Sequence, residues 1–303
     1  MVHIRKNVTI IVVASALLLA TGAMFVIQQQ KQALARHTSP DGQSSSSPTR
    51  CNCVIFRADD IQDYWKQEPQ VALLDIFISK SVPLSVGLVM NHYGSDRLIV
   101  DKVREGGPLF EYDIHGWDHV DYTTLSAQQQ EESISQAQAK IESVMGKDAK
   151  VFFAPYNNFD TNTLIAMKLG GLKIISASKA DTSPYAPAND TLGILHMPQS
   201  INYGYANSTS ERHAWRTVAE MKSVVEADIE VRGWAVVTIH PQDFAKYDDG
   251  EENGGKMLNV ADEQRVDTFK TFIDQLRAEG KTLTTFEGAV RIMDGDDVHP
   301  DLH

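Results

Sequence analysis

The chain has 303 residues, 42% of them hydrophobic, and 40 acidic against 28 basic side chains give a net charge of −12. That size and apolar share suit a globular protein with a sizeable core, and the acidic balance excludes the basic footprint of a nucleic-acid-binding protein. The two cysteines, Cys51 and Cys53, form neither a disulfide framework nor a zinc-ribbon spacing. They read first as two small residues opening a strand, with a small-ring disulfide as the alternative.

Arg5 and Lys6 precede residues 8–27, a run of 20 positions without a charge. Such a run can span a bilayer as a helix, and it is longer than the apolar core of a cleaved signal, although Ala20-Thr21-Gly22-Ala23 would serve as a cleavage site. Residues 1–27 are therefore expected to be a signal anchor or signal peptide. The remainder would then lie at the cell surface, membrane-anchored, or be secreted. Residues 28–50, with Gln28-Gln29-Gln30 and Ser44-Ser45-Ser46-Ser47, are too polar to bury a core and read as a flexible linker. Sequons at Asn189 and Asn207 are compatible with export.

From Cys51 onward, short apolar runs alternate with longer helical patterns. Val54, Ile55 and Phe56 form a strand that leads into Arg57-Ala58-Asp59-Asp60. Val71, Leu73, Leu74, Phe77 and Ile78 recur at helical spacing. A second strand at 83–90, a short helix at 95–105 closed by Gly106-Gly107, and a third strand at 109–114 follow. Ser126 and Gln129 predict a capping box opening a helix that lasts to Met145. A fourth strand at 151–153 ends in Ala154-Pro155-Tyr156-Asn157. Then come a helix at 160–169, a strand at 173–176 and a loop-rich stretch at 181–207 with a strand at 194–197. A helix at 210–231 precedes a strand at 234–239, which runs into His240-Pro241. An acidic, Gly-rich loop at 248–255, a helix at 260–279 and a last strand at 282–286 complete the pattern.

Strands alternating with helices imply a parallel sheet covered by helices. The fold class is α/β, and the number of units suits a distorted (β/α) barrel of about seven parallel strands, one domain over 51–290. An acidic tail, 291–303, is expected to follow it without ordered structure.

In such barrels functional groups collect at the carboxyl ends of strands. Asp59 and Asp60 end the first strand, His115 and His119 the third, Pro155, Tyr156 and Asn157 the fourth, and His240 the one at 234–239. These places converge in space if the strands are right. Two histidines and a carboxylate can hold a catalytic zinc and leave a position open for water. A metal there lowers the pKa of that water and polarises the carbonyl under attack. A second carboxylate can accept the water's proton, and a histidine opposite can protonate the leaving group. This is the chemistry of amide or ester hydrolysis.

The motifs resemble those of the polysaccharide deacetylases with a NodB-homology domain, carbohydrate esterase family four, over roughly residues 54–286. The family's T-F-D-D corresponds to Arg57-Ala58-Asp59-Asp60, and the resemblance implies Asp59 as general base and Asp60 as metal ligand. H-[ST]-x-x-H corresponds to His115-Gly116-Trp117-Asp118-His119, with both histidines as ligands. R-x-P-[YF] corresponds to Phe153-Ala154-Pro155-Tyr156, where the Tyr156 backbone N–H would help bind the oxyanion. L-x-H corresponds to Thr238-Ile239-His240, with His240 as general acid. The chain departs from the family in three places. Gly116 replaces Ser or Thr. Phe153 replaces the arginine that orients and tunes the base. The aspartate-bearing fourth motif is unclear, with Asp181 its one candidate. These departures place the chain in a divergent branch.

The expected activity is metal-dependent hydrolysis of carbon–nitrogen bonds other than peptide bonds, acting on N-acetylated surface polysaccharide. The expected metal is zinc, with cobalt or manganese as alternatives. Pro155, Tyr156 and Asn157 are expected to bind substrate or oxyanion. The expected partners are a carbohydrate or other amide substrate and, through the N-terminal segment, a membrane. The alternatives are a deacylase of a non-sugar amide and a non-catalytic carbohydrate-binding domain that keeps the barrel. His92, His196 and His213 match no motif and read as structural or exposed. Trp117 reads as a pocket wall or core.

Overall fold

In chain order, β1 (Cys53–Ile61) leads through α1 (Gln67–Lys80) to β2 (Leu84–Leu88), and α2 (Arg97–Glu105) leads to β3 (Phe110–Ile114). Next come α3 (Ala127–Met145), β4 (Val151–Phe153), α4 (Thr161–Leu169) and β5 (Ile174–Ser176). Two short strands, β6 (Leu195–His196) and β7 (Ile201–Asn202), precede a hairpin of β8 (Gly204–Asn207) and β9 (Arg212–Trp215). Then follow α5 (Val218–Arg232), β10 (Trp234–Ile239) and a second hairpin, β11 (Ala245–Tyr247) with β12 (Met257–Ala261). The chain closes with α6 (Glu263–Ala278), β13 (Thr282–Thr284) and α7 (Phe286–Met293). This computed structural model describes residues 51–178, 192–207, 212–248 and 256–295. The predicted anchor and linker, Asp181, the sequon residue Asn189, most of the acidic loop and the end of the tail lie outside them. So does the side chain of His213.

Every pairing in the main sheet is parallel, in the order β6-β5-β4-β3-β2-β1-β10-β7, with β13 also on β1. β6 and β7 stand at opposite ends of this order, yet only residues 197–200 separate them. Within that segment the Gln199 N–H donates to Ala177 O beside β5, and the Ser200 N–H donates to Val236 O on β10. One extended segment thus bridges both edges and curls the sheet into a distorted barrel.

The period of two along β1 sorts its side chains. Val54, Phe56 and Ala58 join the core under the helices, whereas Cys53 and Ile55 join a second cluster with Val151, Phe153, Val236 and Phe286. Under the helices the Phe56 ring lies 5.2, 5.8 and 6.3 Å from those of Phe77, Phe269 and Phe272. Truncating one of these buried rings to alanine would cost about 3–5 kcal/mol. Inside the barrel, Phe286 at the start of α7 packs against Phe153, ring to ring at 5.4 Å. Glu111 ties that helix to the sheet, because its Oε2 accepts from the Glu287 N–H at 2.9 Å and its Oε1 from Ser85 Oγ at 3.1 Å.

Several elements differ from the sequence expectation. Residues 212–215 are not the start of a helix but a strand paired with β8. Trp215 packs against Tyr247 at 5.9 Å and lies under the Arg265 guanidinium, contacts that a helix would forgo. The helix begins only after Thr217, whose hydroxyl accepts from the Glu220 N–H in a capping box. Likewise α6 starts after Asp262, which caps Gln264 and Arg265, while residues 257–261 pair with β11. The last strand stops at Thr284, because Thr285 caps α7, and α7 runs into the stretch expected to be tail. Cys51 and Cys53 are joined by a disulfide rather than being unlinked small residues. Asn52, at φ 48, turns the backbone so that the two Cα atoms lie 5.0 Å apart, within bonding reach.

Candidate active site

β1 ends at the site. Asp60 sits at φ 62, a left-handed conformation within the irregular step of β1 between Ala58 and Ile61. For a side chain other than glycine this is strained backbone, of the kind that collects at functional sites. β3 supplies His115, and its 2 % exposure leaves the ring almost wholly buried. The His115 Nδ1–H donates to Phe153 O at 2.9 Å. A carbonyl can only accept, so this bond fixes the tautomer and leaves the Nε2 lone pair facing the cleft.

That lone pair meets Asp60 Oδ1 at 3.2 Å, and His119 Nε2 meets the same oxygen at 3.2 Å. The three ligand atoms lie within 4.8 Å of one another. Burial lowers the His119 pKa and favours its neutral ring. Three electron-pair donors converging on one point repel one another unless a proton or a metal cation lies among them. The residues therefore fit a divalent metal, and among the described residues theirs is the one cluster that does.

Gly116 makes the turn between the two histidines. Its φ of 82 is one that side chains rarely adopt, and a Cβ there would lie 2.8 Å from Asp118 O and 3.2 Å from Pro155 Cγ. The departure from Ser or Thr is thus a steric requirement of this loop.

Asp59 stands beside the cluster, its Oδ2 at 3.8 Å from His115 Nε2 and 3.9 Å from His240 Nε2. Arg57 grips both of its oxygens, Nε to Oδ1 at 2.7 Å and Nη2 to Oδ2 at 2.5 Å. The two are adjacent on the same interior face of β1, as i and i+2 in a strand must be.

His240 follows β10. Asp243 Oδ2 accepts from its backbone N–H at 2.8 Å and lies 3.6 Å from its Nδ1. Burial works against the protonated ring, but Asp243, followed by Asp59 and Asp60, pushes its pKa up to about 9. A histidine with that character can serve as an acid at neutral pH.

The three residues expected to bind substrate or oxyanion divide in role. Pro155 is buried against Gly116 and has no N–H to offer, so it shapes the loop. Asn157 turns its Oδ1 to Arg57 Nη1 at 3.2 Å. Tyr156 remains, 62% exposed at φ 57, with its ring edge-on to His119 at 4.6 Å. The turn's two hydrogen bonds start from the Asn157 and Asn158 N–H groups and leave the Tyr156 N–H out. Trp117 packs against the main core, and Lys140 lies 5.4 Å from its ring centroid. His92 is exposed, 3.4 Å from Asp118. His196 is buried, edge-on to Phe159 at 5.4 Å. Sequence reasoning missed Arg57 and Asp243 as working parts of the site. The signals were their offsets, two before Asp59 and three after His240.

A curled parallel sheet with an Asp-His-His cluster and a paired aspartate at its strand ends is the arrangement of a NodB-like barrel. Residues 46–175 match the family model described as polysaccharide deacetylase. Over those residues the chain is similar to the polysaccharide deacetylases of the NodB, carbohydrate esterase family four, type. A chitin deacetylase from Pestalotiopsis sp is 31% identical over 125 residues, which cover 40% of this chain and 41% of that protein. The chain thus aligns with well under half of that relative's length. A Mycobacterium smegmatis structure assigned to the polysaccharide deacetylases is 16% identical, with a TM-score of 0.59, covering 85% of this chain and 94% of that one. A family 4 acetyl xylan esterase from Clostridium thermocellum is 15% identical, with a TM-score of 0.51 over 82% and 95% of the two chains. A Bacillus anthracis protein described as a pseudoenzyme of the same family is 12% identical, with a TM-score of 0.50 over 86% and 71%. At these identities the structural likenesses establish the fold.

Proposed function

We propose that this protein is an exported, metal-dependent hydrolase that removes acetyl groups from N-acetylated surface polysaccharide. The observation that carries the reading is the meeting of the Asp60, His115 and His119 donor atoms beside Asp59 and opposite His240. When bound, a divalent metal, zinc first and cobalt or manganese next, would supply the Lewis acidity for attack on the acetyl carbonyl. Asp60, His115 and His119 would hold it. Asp59 would take the proton of the attacking water. His240 would give a proton to the leaving nitrogen, and the Tyr156 N–H would face the oxyanion. The chitin deacetylase likeness supports an N-acetylated sugar. The uncharged run at 8–27 supports export and anchoring; among the described residues no helix is long and apolar enough to cross a membrane.

Metal analysis combined with an amide-hydrolysis screen tests the reading. The wild type should hold about one ion per chain and release acetate from N-acetylglucosamine oligomers. His115→Ala and Asp60→Ala should lose the ion, and Asp59→Asn should keep it and lose turnover. Unchanged metal content in both ligand variants would sink the proposal.

Phe153 motivates a second reading, a non-catalytic carbohydrate-binding domain, because the family's arginine is missing there. It predicts glycan binding that survives Asp59→Asn, with no hydrolysis by any form of the protein. The Arg57–Asp59 fork speaks against it, since binding alone needs no oriented base. Deacylation of a non-sugar amide would use the same residues and differ only in which substrate releases acid.

A further inference from the structure

We propose that Arg57 is a positioning residue that keeps Asp59 out of the metal's ligand set, from β1, in place of the arginine missing at Phe153. The inference rests on the metal-dependent reading above.

Asp59 is poorly placed to stay a base unaided. It directly precedes a metal ligand, and its Oδ2 is 3.8 Å from the Nε2 of a second one, His115. Unrestrained, its carboxylate lies close enough to the donor atoms of Asp60, His115 and His119 to join them in holding a metal. That would fill the position a catalytic metal must leave open.

The guanidinium prevents this by holding both oxygens at once. The bidentate fork, 2.7 and 2.5 Å, fixes direction as well as distance. Arg57 is itself immobilised. Its Nη1 donates to Ser176 O at 3.1 Å, to Ser176 Oγ at 3.2 Å and to Asn157 Oδ1 at 3.2 Å. Its Cζ stands 4.7 Å from the centroid of the Phe153 ring, and no part of it is exposed.

The surroundings are matched to this arrangement. The Phe153 ring fills the space that a side chain at Gly87 would occupy, since a Cβ there would meet Phe153 Cδ2 at 2.5 Å. Phe153 thus gives the guanidinium an apolar face to lie on, where a second arginine would place a like charge beside it. Arg57, Phe153 and Gly87 form one set, in which the positive charge beside Asp59 comes from β1.

The test uses the full chain loaded with Co2+, whose visible absorption reports the ligand set without any turnover. Wild type, Arg57→Lys, Arg57→Met, Arg57→Met/Asp59→Asn and Arg57→Thr/Phe153→Arg are compared at equal metal content. Arg57→Met should shift the cobalt band as the Asp59 carboxylate enters. The double variant lacking that carboxylate should return to the wild-type band, and so should the one that carries its arginine at position 153. Arg57→Lys, a single donor, should fall between, and it decides the matter if Arg57→Met does not fold. With N-acetylglucosamine oligomers, Arg57→Met should lose at least about tenfold in kcat, part of the general-base contribution, with KM little changed. A band unchanged in Arg57→Met and Arg57→Lys overturns the proposal, as does a shift that persists without the Asp59 carboxylate. Wild type that binds cobalt but never hydrolyses an amide refutes the proposed function and leaves the cobalt bands to decide on Arg57. Wild type that binds no cobalt overturns both.

Discussion

Gly116→Ser installs the residue type that the related motif carries, and in this chain it should damage the site. The backbone there has φ 82, and the new Cβ would meet Asp118 O at 2.8 Å and Pro155 Cγ at 3.2 Å. Holding an L side chain in a left-handed conformation costs about 1–2 kcal/mol. Forcing the Asp118 carbonyl aside adds about 1–3 kcal/mol, the usual cost of overpacking. The loop cannot drift freely to relieve this, because Gly116 O accepts from the Met90 N–H at 3.1 Å and Trp117 O from the Asn91 N–H at 2.8 Å. A loss of about 2–5 kcal/mol would lower Tm by roughly 4–20 °C in a domain of this size. His115 and His119 flank the strained turn, so zinc affinity should fall with it. Thermal unfolding in EDTA reads the first effect and zinc titration the second. A Gly116→Ser protein as stable as wild type, with equal zinc affinity, would refute the steric reasoning.

Two further predictions concern pH. Burial, aided by the charge of Arg232, depresses the His196 pKa to about 4. The folded state thus favours the neutral ring. Its contribution is present above the unfolded value near 6.5 and is lost as pH falls from there towards 4, by up to about 3 kcal/mol. His196→Phe removes the titration, so its stability advantage in denaturant melts should grow from pH 7 to pH 4.5; a constant offset would count against this account. For catalysis, the His240 pKa of about 9 predicts that kcat/KM falls on the alkaline side of that value, as the acid loses its proton. Asp243→Asn removes the largest favourable contribution to the charged ring and should move this limb to lower pH; an unmoved limb would mean that Asp243 does not tune His240.

The strands were legible because each is an apolar run closed by polar residues. The candidate site was legible because those closing residues are of metal-ligating and acid–base types. What escaped depended on partners distant in sequence. The hairpin at 204–215 hides in a stretch with helical spacing, and only the contacts of Trp215 with Tyr247 and Arg265 select the strand. The bridging of both sheet edges by residues 195–202 follows from pairing with β5 and β10, which no local pattern encodes. Arg57 read as part of a motif whose usual residue there is uncharged. Its role follows only once strand parity places it with Asp59 and the fold brings Phe153 under it. Asp243 fell in a turn after His240, where an acidic residue ordinarily reads as a solvated cap.

The barrel interior explains why the arginine had to sit where it does. Below the site, Asp113 is fully buried, and burial followed by the charge of Glu111 pushes its pKa well above the carboxylate range. Burial thus weighs against a charged Asp113 as partner for a cation at that depth. Glu111 is committed to Ser85 and to the start of α7. Among the described residues, the guanidinium of Arg57 has one ion-pair partner, the carboxylate of Asp59. An unpaired buried charge costs about 3–5 kcal/mol, so stability and orientation point the same way. The contact that makes Arg57 tolerable in the interior is the one that fixes Asp59. Losing either residue alone should therefore cost more stability than losing both, a non-additivity that Arg57→Met, Asp59→Asn and their double variant would reveal in denaturant melts.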